Sequence, residues 1–303
     1  MIPRRKFRLK LRSRTFILGP RTLVMGVLNI TPDSFSDGGN FFSQEKAVQH
    51  ALQMERNGAD LIDIGAESTR PGSLGITAEE EWSRLAPVLA ALRTRLTIPI
   101  SIDTRKSEIA AKAIESGAEL INDVSGLKHD PRIAAVSARA RVPLILMHMR
   151  GEPQTMQQVP FARDALKDVT QGLRASLSIA RKAGVPNSQI VLDPGIGFGK
   201  NYAQNYQLLA ELPQLAKLGF PLLVGTSRKG FIGKTLAQDA KIAPSAAPPA
   251  ADAAEMKPWG TAATVTASIL HGAHIVRVHD VAQMVSVARI ADCILNPALA
   301  PKN

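Results

Sequence analysis

The hydrophobic pattern of this chain alternates between short apolar runs and longer stretches of helical character. Apolar runs typical of buried strands lie at residues 23–28, 60–64, 98–102, 119–121, 142–147, 189–192, 220–224 and 274–278. The intervening stretches predict helices at about 43–56, 78–93, 106–116, 131–140, 162–183, 203–210, 260–271 and 281–294. Eight β-α units in one uninterrupted series predict an α/β fold, a (β/α)8 TIM barrel, rather than a doubly wound open sheet.

Both ends of the chain and one internal segment lie outside this series. Residues 6–12 and 15–18, followed by Gly19-Pro20, predict an N-terminal β-hairpin. We therefore divide the chain into an N-terminal extension at 1–20, a single barrel at 21–295 and a C-terminal tail at 296–303. Residues 240–258 contain eight Ala and four Pro, a composition that predicts a mobile insertion between the seventh strand and its helix.

Composition and charge narrow the classes of protein that fit. The 303 residues are 45% hydrophobic and 21% charged, which is enough for a sizeable core. Of the net charge of +11, residues 1–14 supply seven charges, mostly on alternate positions, as on the exposed face of an edge strand. We therefore expect no nucleic-acid partner. No apolar run is long enough for a membrane span or a signal peptide, so we expect a cytoplasmic protein without a membrane partner.

Polar residues stand at or just after the end of every predicted strand. They are Asn29, Asp63, Asp103, Asn122, His148, Asp193, Lys229 and the pair Arg277 and His279. In a barrel such positions converge on one rim, although Asp and Asn can also serve as helix caps. The carboxylates and amides suit a heterocycle with several N–H groups, whereas the basic residues near the last two strands suit a phosphate.

Two loops add detail to this predicted site. The first strand ends at Asn29 and continues into Pro32 and other turn-forming residues, where Asp33 or Asp37 could hold Mg²⁺ together with Asn29. The segment Asp193-Pro-Gly-Ile-Gly-Phe-Gly-Lys200 matches neither a P-loop nor a dinucleotide-binding motif. It predicts a tight loop beneath a flat ligand, with Phe198 as an aromatic wall.

Seven motifs resemble the dihydropteroate synthase family over about residues 23–293. They are Asn29-Ile-Thr-Pro-Asp-Ser-Phe-Ser-Asp-Gly-Gly39, Asp63-Ile-Gly-Ala-Glu-Ser-Thr-Arg-Pro-Gly72, Ser101-Ile-Asp-Thr104, Ile121-Asn-Asp123, Asp193-Pro-Gly-Ile-Gly-Phe-Gly-Lys200, Ser227-Arg-Lys229 and Arg277-Val-His-Asp280. The resemblance implies a transferase of folate biosynthesis that joins 4-aminobenzoate to 6-hydroxymethyl-7,8-dihydropterin pyrophosphate. It also implies a homodimer and a target of sulfonamides.

The resemblance further implies a role for each matching residue. The expected catalytic residues are Asp103, Lys229, Asn29 and Arg277. The expected pterin residues are Asp103, Asn122, Asp193, Lys229, Met147 and Gly225. The pyrophosphate would contact Asn29, Arg277 and His279, with Mg²⁺ on Asn29. The aminobenzoate and its covering loops would involve Asp33, Phe35, Asp37, Thr69, Arg70, Pro71, Phe198, Arg228 and Gly230.

Two other classes of function stay open at this stage. A pterin-binding paralogue without turnover, or a methyltetrahydrofolate-corrinoid methyltransferase, would share the barrel but would not need the pyrophosphate residues. An RNA-associated protein would use the basic N-terminus. The chain also departs from the family pattern at Ala66 and Gly230, where relatives often have Gly and Ser, and neither change removes a catalytic group.

Overall fold

The computed structural model describes residues 4–31, 40–69, 72–156, 161–239 and 253–301. Eight parallel strands form one sheet: β3 (Leu23–Asn29), β4 (Leu61–Gly65), β5 (Ile100–Asp103), β6 (Leu120–Asp123), β7 (Leu144–Met147), β8 (Ile190–Asp193), β9 (Leu223–Val224) and β10 (Ile275–Val278). Strands β3 to β8 are paired in chain order, and β10 lies between β3 and β9. A bridge between Leu192 and Leu222 links the two outer strands, which completes the barrel. The predicted fold class is confirmed.

Helices cover the outside of the barrel. They are α1 (Asn40–Arg56), α2 (Ala78–Leu92), α3 (Ser107–Glu115), α4 (Arg132–Ala140), α5 (Ala165–Lys182), α6 (Tyr202–Ala210), α7 (Leu212–Ala216), α8 (Gly230–Asp239), α9 (Ala253–Leu270) and α10 (Val281–Leu295). Short 3-10 turns lie at Asn187–Gln189 and Pro297–Leu299. None of the described helices is long and apolar enough to cross a membrane.

The prediction for residues 240–258 was wrong at its C-terminal end. Helix α9 begins at Ala253 and passes through Pro258, so the last six residues of the predicted insertion are helical. One proline near the start removes a single backbone hydrogen bond from an 18-residue helix, which the remaining bonds offset. The remainder of the segment, 240–252, lies outside the described residues. Helix α8 is the next element after β9, which is the seventh strand of the barrel. That strand therefore already has a helix before residues 240–252.

Alternation along the strands divides the barrel interior into an apolar and a polar layer. Side chains two residues apart point to the same face of a strand. The inner positions near the strand starts hold Met25, Leu61, Leu120, Ile145, Val191, Leu223 and Ile275, which pack together. Two residues further on stand Asp63, Asn122, Met147, Asp193, Gly225 and Arg277. The polar positions therefore lie at the C-terminal end of the barrel, where the loops can complete a site.

The predicted hairpin is present and closes the opposite end of the barrel. Strands β1 (Phe7–Lys10) and β2 (Thr15–Leu18) are antiparallel. Leu9, Leu11 and Leu18 are buried against the apolar interior layer. Arg12 donates to the Ile114 carbonyl and Arg14 to the Thr97 carbonyl, both of which precede barrel strands. The hairpin thus seals the end of the barrel that faces away from the polar layer.

Candidate active site

An ion-pair network lies at the centre of the polar layer. Arg277 on β10 donates from Nε to Asp63 Oδ2 at 2.6 Å and from Nη2 to Asp103 Oδ2 at 2.9 Å. Asp63 is fully buried, and it also accepts hydrogen bonds from Ser101 Oγ at 2.6 Å and from Asn122 Nδ2 at 2.8 Å. Both oxygens of Asp63 are therefore used inside the protein. Its structural part is to fix the orientation of the Arg277 and Asn122 side chains.

Asn122 and Asp193 keep hydrogen-bonding capacity for a ligand. Asn122 Oδ1 is buried without a hydrogen-bond partner in the described part of the chain. An unpaired buried acceptor costs free energy unless a bound group donates to it. Asp193, at the end of β8, accepts at Oδ1 from the Gly195 amide at 2.7 Å. A carboxylate with one oxygen fixed in this way can offer the other to an N–H group.

Burial changes the pKa of three groups in this layer. It raises the pKa of Asp103 to about 8, with Arg277 opposing the change and Asp63 adding to it. It raises the pKa of Asp193 to about 6 against the Gly195 N–H and Lys229. It lowers the pKa of Lys229 to about 8, and Arg277 acts in the same direction. The layer holds more carboxylates than cations, which favours a proton on Asp103 when no ligand is bound.

Lys229 and Phe198 form one wall of the site. Lys229 follows β9 through a tight turn in which Arg228 has the left-handed φ of 59°. Its Nζ lies 3.8 Å from the centroid of the Phe198 ring, a cation–π contact. Phe198 packs against the buried cluster of Val124, Met147, Met149 and Met156. The wall therefore presents a flat apolar ring beside an ammonium group.

His279, Arg228 and Asn29 lie around the mouth of the barrel. His279 Nδ1 is 3.1 Å from Ser227 Oγ, and burial with neighbouring Arg277 and Arg228 lowers the pKa of its imidazole to about 3. It is therefore neutral at neutral pH. Exposed Arg228 is paired with Asp280, with 2.6 Å between Nη2 and Oδ1. Asn29 ends β3 and is partly exposed.

The pattern of the pterin binding enzyme family matches residues 25–279, which include every strand of the barrel except the first two residues of β3. The chain belongs to the pterin binding enzymes. Among its relatives, the dihydropteroate synthase of Synechocystis is 49% identical to this chain over 279 residues, which cover 92% of each chain. The family predicted from the motifs is confirmed, and within it the chain is a member of the dihydropteroate synthases.

Solved structures of the family support the same assignment. The dihydropteroate synthase of Xanthomonas albilineans with 4-aminobenzoic acid aligns with a TM-score of 0.85 at 38% identity, over 98% of this chain and 100% of that one. The dihydropteroate synthase of Yersinia pestis in complex with a sulfonamide drug aligns with a TM-score of 0.82 at 40% identity, over 96% of this chain and 98% of that one.

The pterin binding enzyme fold brings most of the predicted site residues to one rim. Asp103, Asn122, Asp193, Met147 and Arg277 lie on the inner strand positions and Gly225 directly follows β9, whereas Lys229, Phe198, Arg228, His279 and Thr69 lie on loops after the strands. The predicted residues Asp33, Phe35, Asp37, Arg70 and Pro71 lie outside the described residues. Gly230 is the first residue of α8.

His148 was wrongly predicted to face this rim. Met147 points into the barrel, so its neighbour His148 points outward to the helix layer, because successive side chains of a strand alternate between faces. Its ring packs against Gly172 of α5, where a Cβ would lie 2.4 Å from His148 Cδ2. Burial lowers the pKa of His148 to about 2.

Sequence reasoning missed a second ionic cluster beside the rim. Arg105 pairs with Glu67 and Glu152, both at 2.8 Å, and Lys106 pairs with Glu67 at 2.7 Å and Glu81 at 2.6 Å. Glu67 lies in the loop after β4 and Glu152 in the loop after β7, so Arg105 joins the two loops. The motif around Glu67 was recognised, but charge spacing along one chain does not reveal which distant groups pair.

Proposed function

We propose that this chain condenses 4-aminobenzoate with 6-hydroxymethyl-7,8-dihydropterin pyrophosphate to give 7,8-dihydropteroate and pyrophosphate. The observation that carries the proposal is the polar layer of a dihydropteroate synthase barrel, in which Asn122 Oδ1 and Asp193 offer acceptors beside Lys229. A flat heterocycle with adjacent N–H groups and a carbonyl matches these groups. A heterocycle buried between these protein groups would be shielded from water, which strengthens each hydrogen bond.

The pterin is held by complementary donors and acceptors. Asn122 Oδ1 and the free oxygen of Asp193 accept hydrogen bonds from the pterin N–H groups, and Lys229 Nζ donates to a carbonyl or ring nitrogen. Because the side chain of Asn122 is fixed by Asp63, its acceptor oxygen is oriented before the substrate arrives. The Phe198 ring and Met147 provide the apolar side of the slot.

The first bond to break joins the pterin methylene carbon to the pyrophosphate oxygen. The electron pair leaves with the pyrophosphate, and positive charge develops on the pterin. The ionised Asp103 carboxylate would stabilise that charge, and the charge in turn would lower the pKa of Asp103 from its raised value. The aminobenzoate nitrogen then attacks the methylene carbon and loses one proton. The resemblance implies this order of departure before attack.

Arg277 and His279 contact the leaving pyrophosphate in this proposal. Arg277 brings a permanent positive charge, held in place by Asp63 and Asp103. Neutral His279 brings a hydrogen bond, because Nδ1 faces Ser227 and Nε2 can carry the proton. The two groups therefore differ in role: one neutralises charge and the other orients an oxygen.

Magnesium is part of the proposal through Asn29. Within the described residues no group of three or more His, Cys, Asp or Glu side chains could hold a metal ion. A single amide oxygen on Asn29 fits Mg²⁺, which keeps most of its waters and binds mainly through substrate phosphates. Asn29 would contribute its amide oxygen, and the ion would supply positive charge to the pyrophosphate when bound.

The proposal is tested by pyrophosphate release from the pterin pyrophosphate, with and without 4-aminobenzoate and Mg²⁺. We expect release that depends on both additions, with dihydropteroate formed in equal amount. Folded protein that binds the pterin but releases no pyrophosphate would instead support the pterin-binding paralogue. We further propose a cytoplasmic homodimer, for which light scattering of the purified protein would give the assembly state.

A further inference from the structure

The side chain of Lys200 enters a ring of acceptors beneath the polar layer. It is 5% exposed, and its Nζ donates to the Gly195 carbonyl at 2.8 Å and to the Phe198 carbonyl at 2.9 Å. It also lies 3.2 Å from His148 Nδ1 and 3.3 Å from the His148 carbonyl. An ammonium group has three donors and no acceptor, so these four atoms use its whole capacity.

The carbonyls converge on Lys200 because of the backbone of residues 194–199, here called the glycine loop. Gly195, Gly197 and Gly199 have φ values of 66°, 85° and 63°, which few other residues adopt. A Cβ on Gly195 would lie 1.9 Å from the His148 carbonyl oxygen, so the loop is pressed against the end of β7. Buried carbonyls in such a loop need a donor, and Lys200 supplies it.

Two contacts connect this loop to the polar layer. The Gly195 amide donates to Asp193 Oδ1 at 2.7 Å, so the loop sets the rotation of that carboxylate. The Phe198 ring lies 3.8 Å from Lys229 Nζ. On its other side, the Gly197 amide is held by Asn205 Oδ1 of α6 at 2.6 Å. The Gly195 and Gly197 amides therefore have their own partners. The Phe198 amide also donates to the Gly195 carbonyl at 3.1 Å, whereas the Phe198 carbonyl has the Lys200 ammonium as its donor.

A neutral histidine backs the lysine. Since Lys200 donates to Nδ1, the imidazole proton lies on Nε2, which is 3.5 Å from Asp168 Oδ2 on α5. Burial lowers the pKa of Lys200 to about 7, against the attraction of Asp193 and Asp168. An apolar side chain would avoid this cost of burying a charge. The carbonyls that it pairs stabilise the ammonium form against this cost.

We propose that Lys200 is a positioning residue of the enzyme, which holds the glycine loop so that Asp193 and Phe198 face the pterin. It does not contact the substrate. This inference rests on the proposed function for the identity of the ligand, but its effect on the loop does not. The two can therefore be tested separately.

The loop is tested by hydrogen exchange of peptides that contain residues 194–201, without substrates. Lys200→Met keeps the length of the side chain and removes every donor, whereas Lys200→Gln keeps two N–H donors. We expect faster exchange in the Met variant and an intermediate rate in the Gln variant. Lys128→Met is the matched control, since Lys128 donates to the Met149 carbonyl at 2.5 Å and makes no hydrogen bond to the glycine loop among the described residues. Unchanged exchange in a folded Lys200 variant would overturn the proposal.

Kinetics then show whether the loop serves the site. We expect kcat/KM for the pterin pyrophosphate to fall by about tenfold or more in Lys200→Met and by less in Lys200→Gln. The acid limb of the pH profile should also move to higher pH, because Lys200 and the Gly195 N–H both lower the pKa of Asp193, as do Lys229 and Arg277. If Lys200→Met does not fold, the Gln variant carries the test. If the variants have faster exchange in the loop but unchanged kinetics, Lys200 has only a structural role and the positioning proposal is rejected. If the wild-type protein itself is inactive, the proposed function is rejected, whereas the exchange experiment on the loop still stands.

Discussion

Arg277 is the residue on which the polar layer depends most. It bridges Asp63 and Asp103 across the barrel and stands where the pyrophosphate is proposed to leave. Its partners are not equivalent, since Asp63 is fully buried and has all its hydrogen bonds inside the protein, whereas Asp103 is partly exposed to the mouth. One carboxylate thus orients the guanidinium, and the other can respond to charge on the substrate.

Asp193 gives a prediction about pH. In the proposed function the ionised form of Asp193 accepts from the pterin. Its pKa is raised to about 6, so protonation below that pH removes an acceptor. We expect kcat/KM for the pterin pyrophosphate to fall about tenfold per pH unit below about pH 6. The profile of Asp193→Asn should be lower throughout and should lack this limb. An acid limb that is identical in Asp193→Asn would belong to another group or to the substrate, because the substrate titrates in the same way with both enzymes.

Single residues also show how far the sequence could predict the site. Strand ends and alternation were sufficient to place Asp103, Asn122, Asp193 and Arg277 together, because a barrel converges its strand ends. The same alternation should have turned His148 outward once Met147 was placed inside. The role of Lys200 was not predictable, since its partners are backbone carbonyls whose directions depend on three positive φ angles.

Among the elements, the strands were better predicted than the helices. A buried parallel strand is an apolar run with clear ends, so most predicted bounds lie within two residues of those observed. Helices α7 and α8 were missed. Residues 212–216 contain Pro213 and are too short to show a helical period, whereas 230–239 begin with Gly, a poor helix former. Both are held by packing in the complete barrel, which local sequence does not contain.

The hairpin gives a prediction at the element scale. Leu18 is fully buried against the apolar layer, whereas its neighbour Ile17 is 45% exposed on the other face of β2. We expect Leu18→Ala to lower the free energy of unfolding by about 2 to 5 kcal/mol. Ile17→Ala should change it by less than about 0.5 kcal/mol. Urea unfolding measures both, and equal losses would contradict the placement of the hairpin as a seal.

At the scale of the whole molecule, a buried ion pair ties the two ends of the chain together. Arg4 Nη2 lies 2.6 Å from Asp292 Oδ1 on α10, and Asp292 also accepts from the Thr22 amide just before β3. The Arg4 and Asp292 side chains are 4% and 7% exposed. The hairpin, the first barrel strand and the last helix therefore meet at one carboxylate.

This tie predicts unequal effects for two arginines that each pair with an aspartate. Arg4→Met should lower the free energy of unfolding by about 3 kcal/mol, because it leaves a buried carboxylate without its cation. Arg21→Met is the control: its side chain is 57% exposed beside Asp60, and its loss should cost less than about 1 kcal/mol. Thermal or urea unfolding gives both values. Similar costs would mean that Arg4 contributes no more than a surface pair.

The sealed end of the barrel also limits how substrates enter and products leave. Leu9, Leu11 and Leu18 close one end of the barrel together with the apolar layer. The substrates and products of the proposed reaction therefore all pass through the opposite end. In the proposed function the pterin binds deepest, at the level of Asn122 and Asp193, so we expect it to bind before the aminobenzoate, which would otherwise block its access. The expected order of binding therefore follows from the end of the barrel that the hairpin and the apolar layer close together, opposite the proposed site.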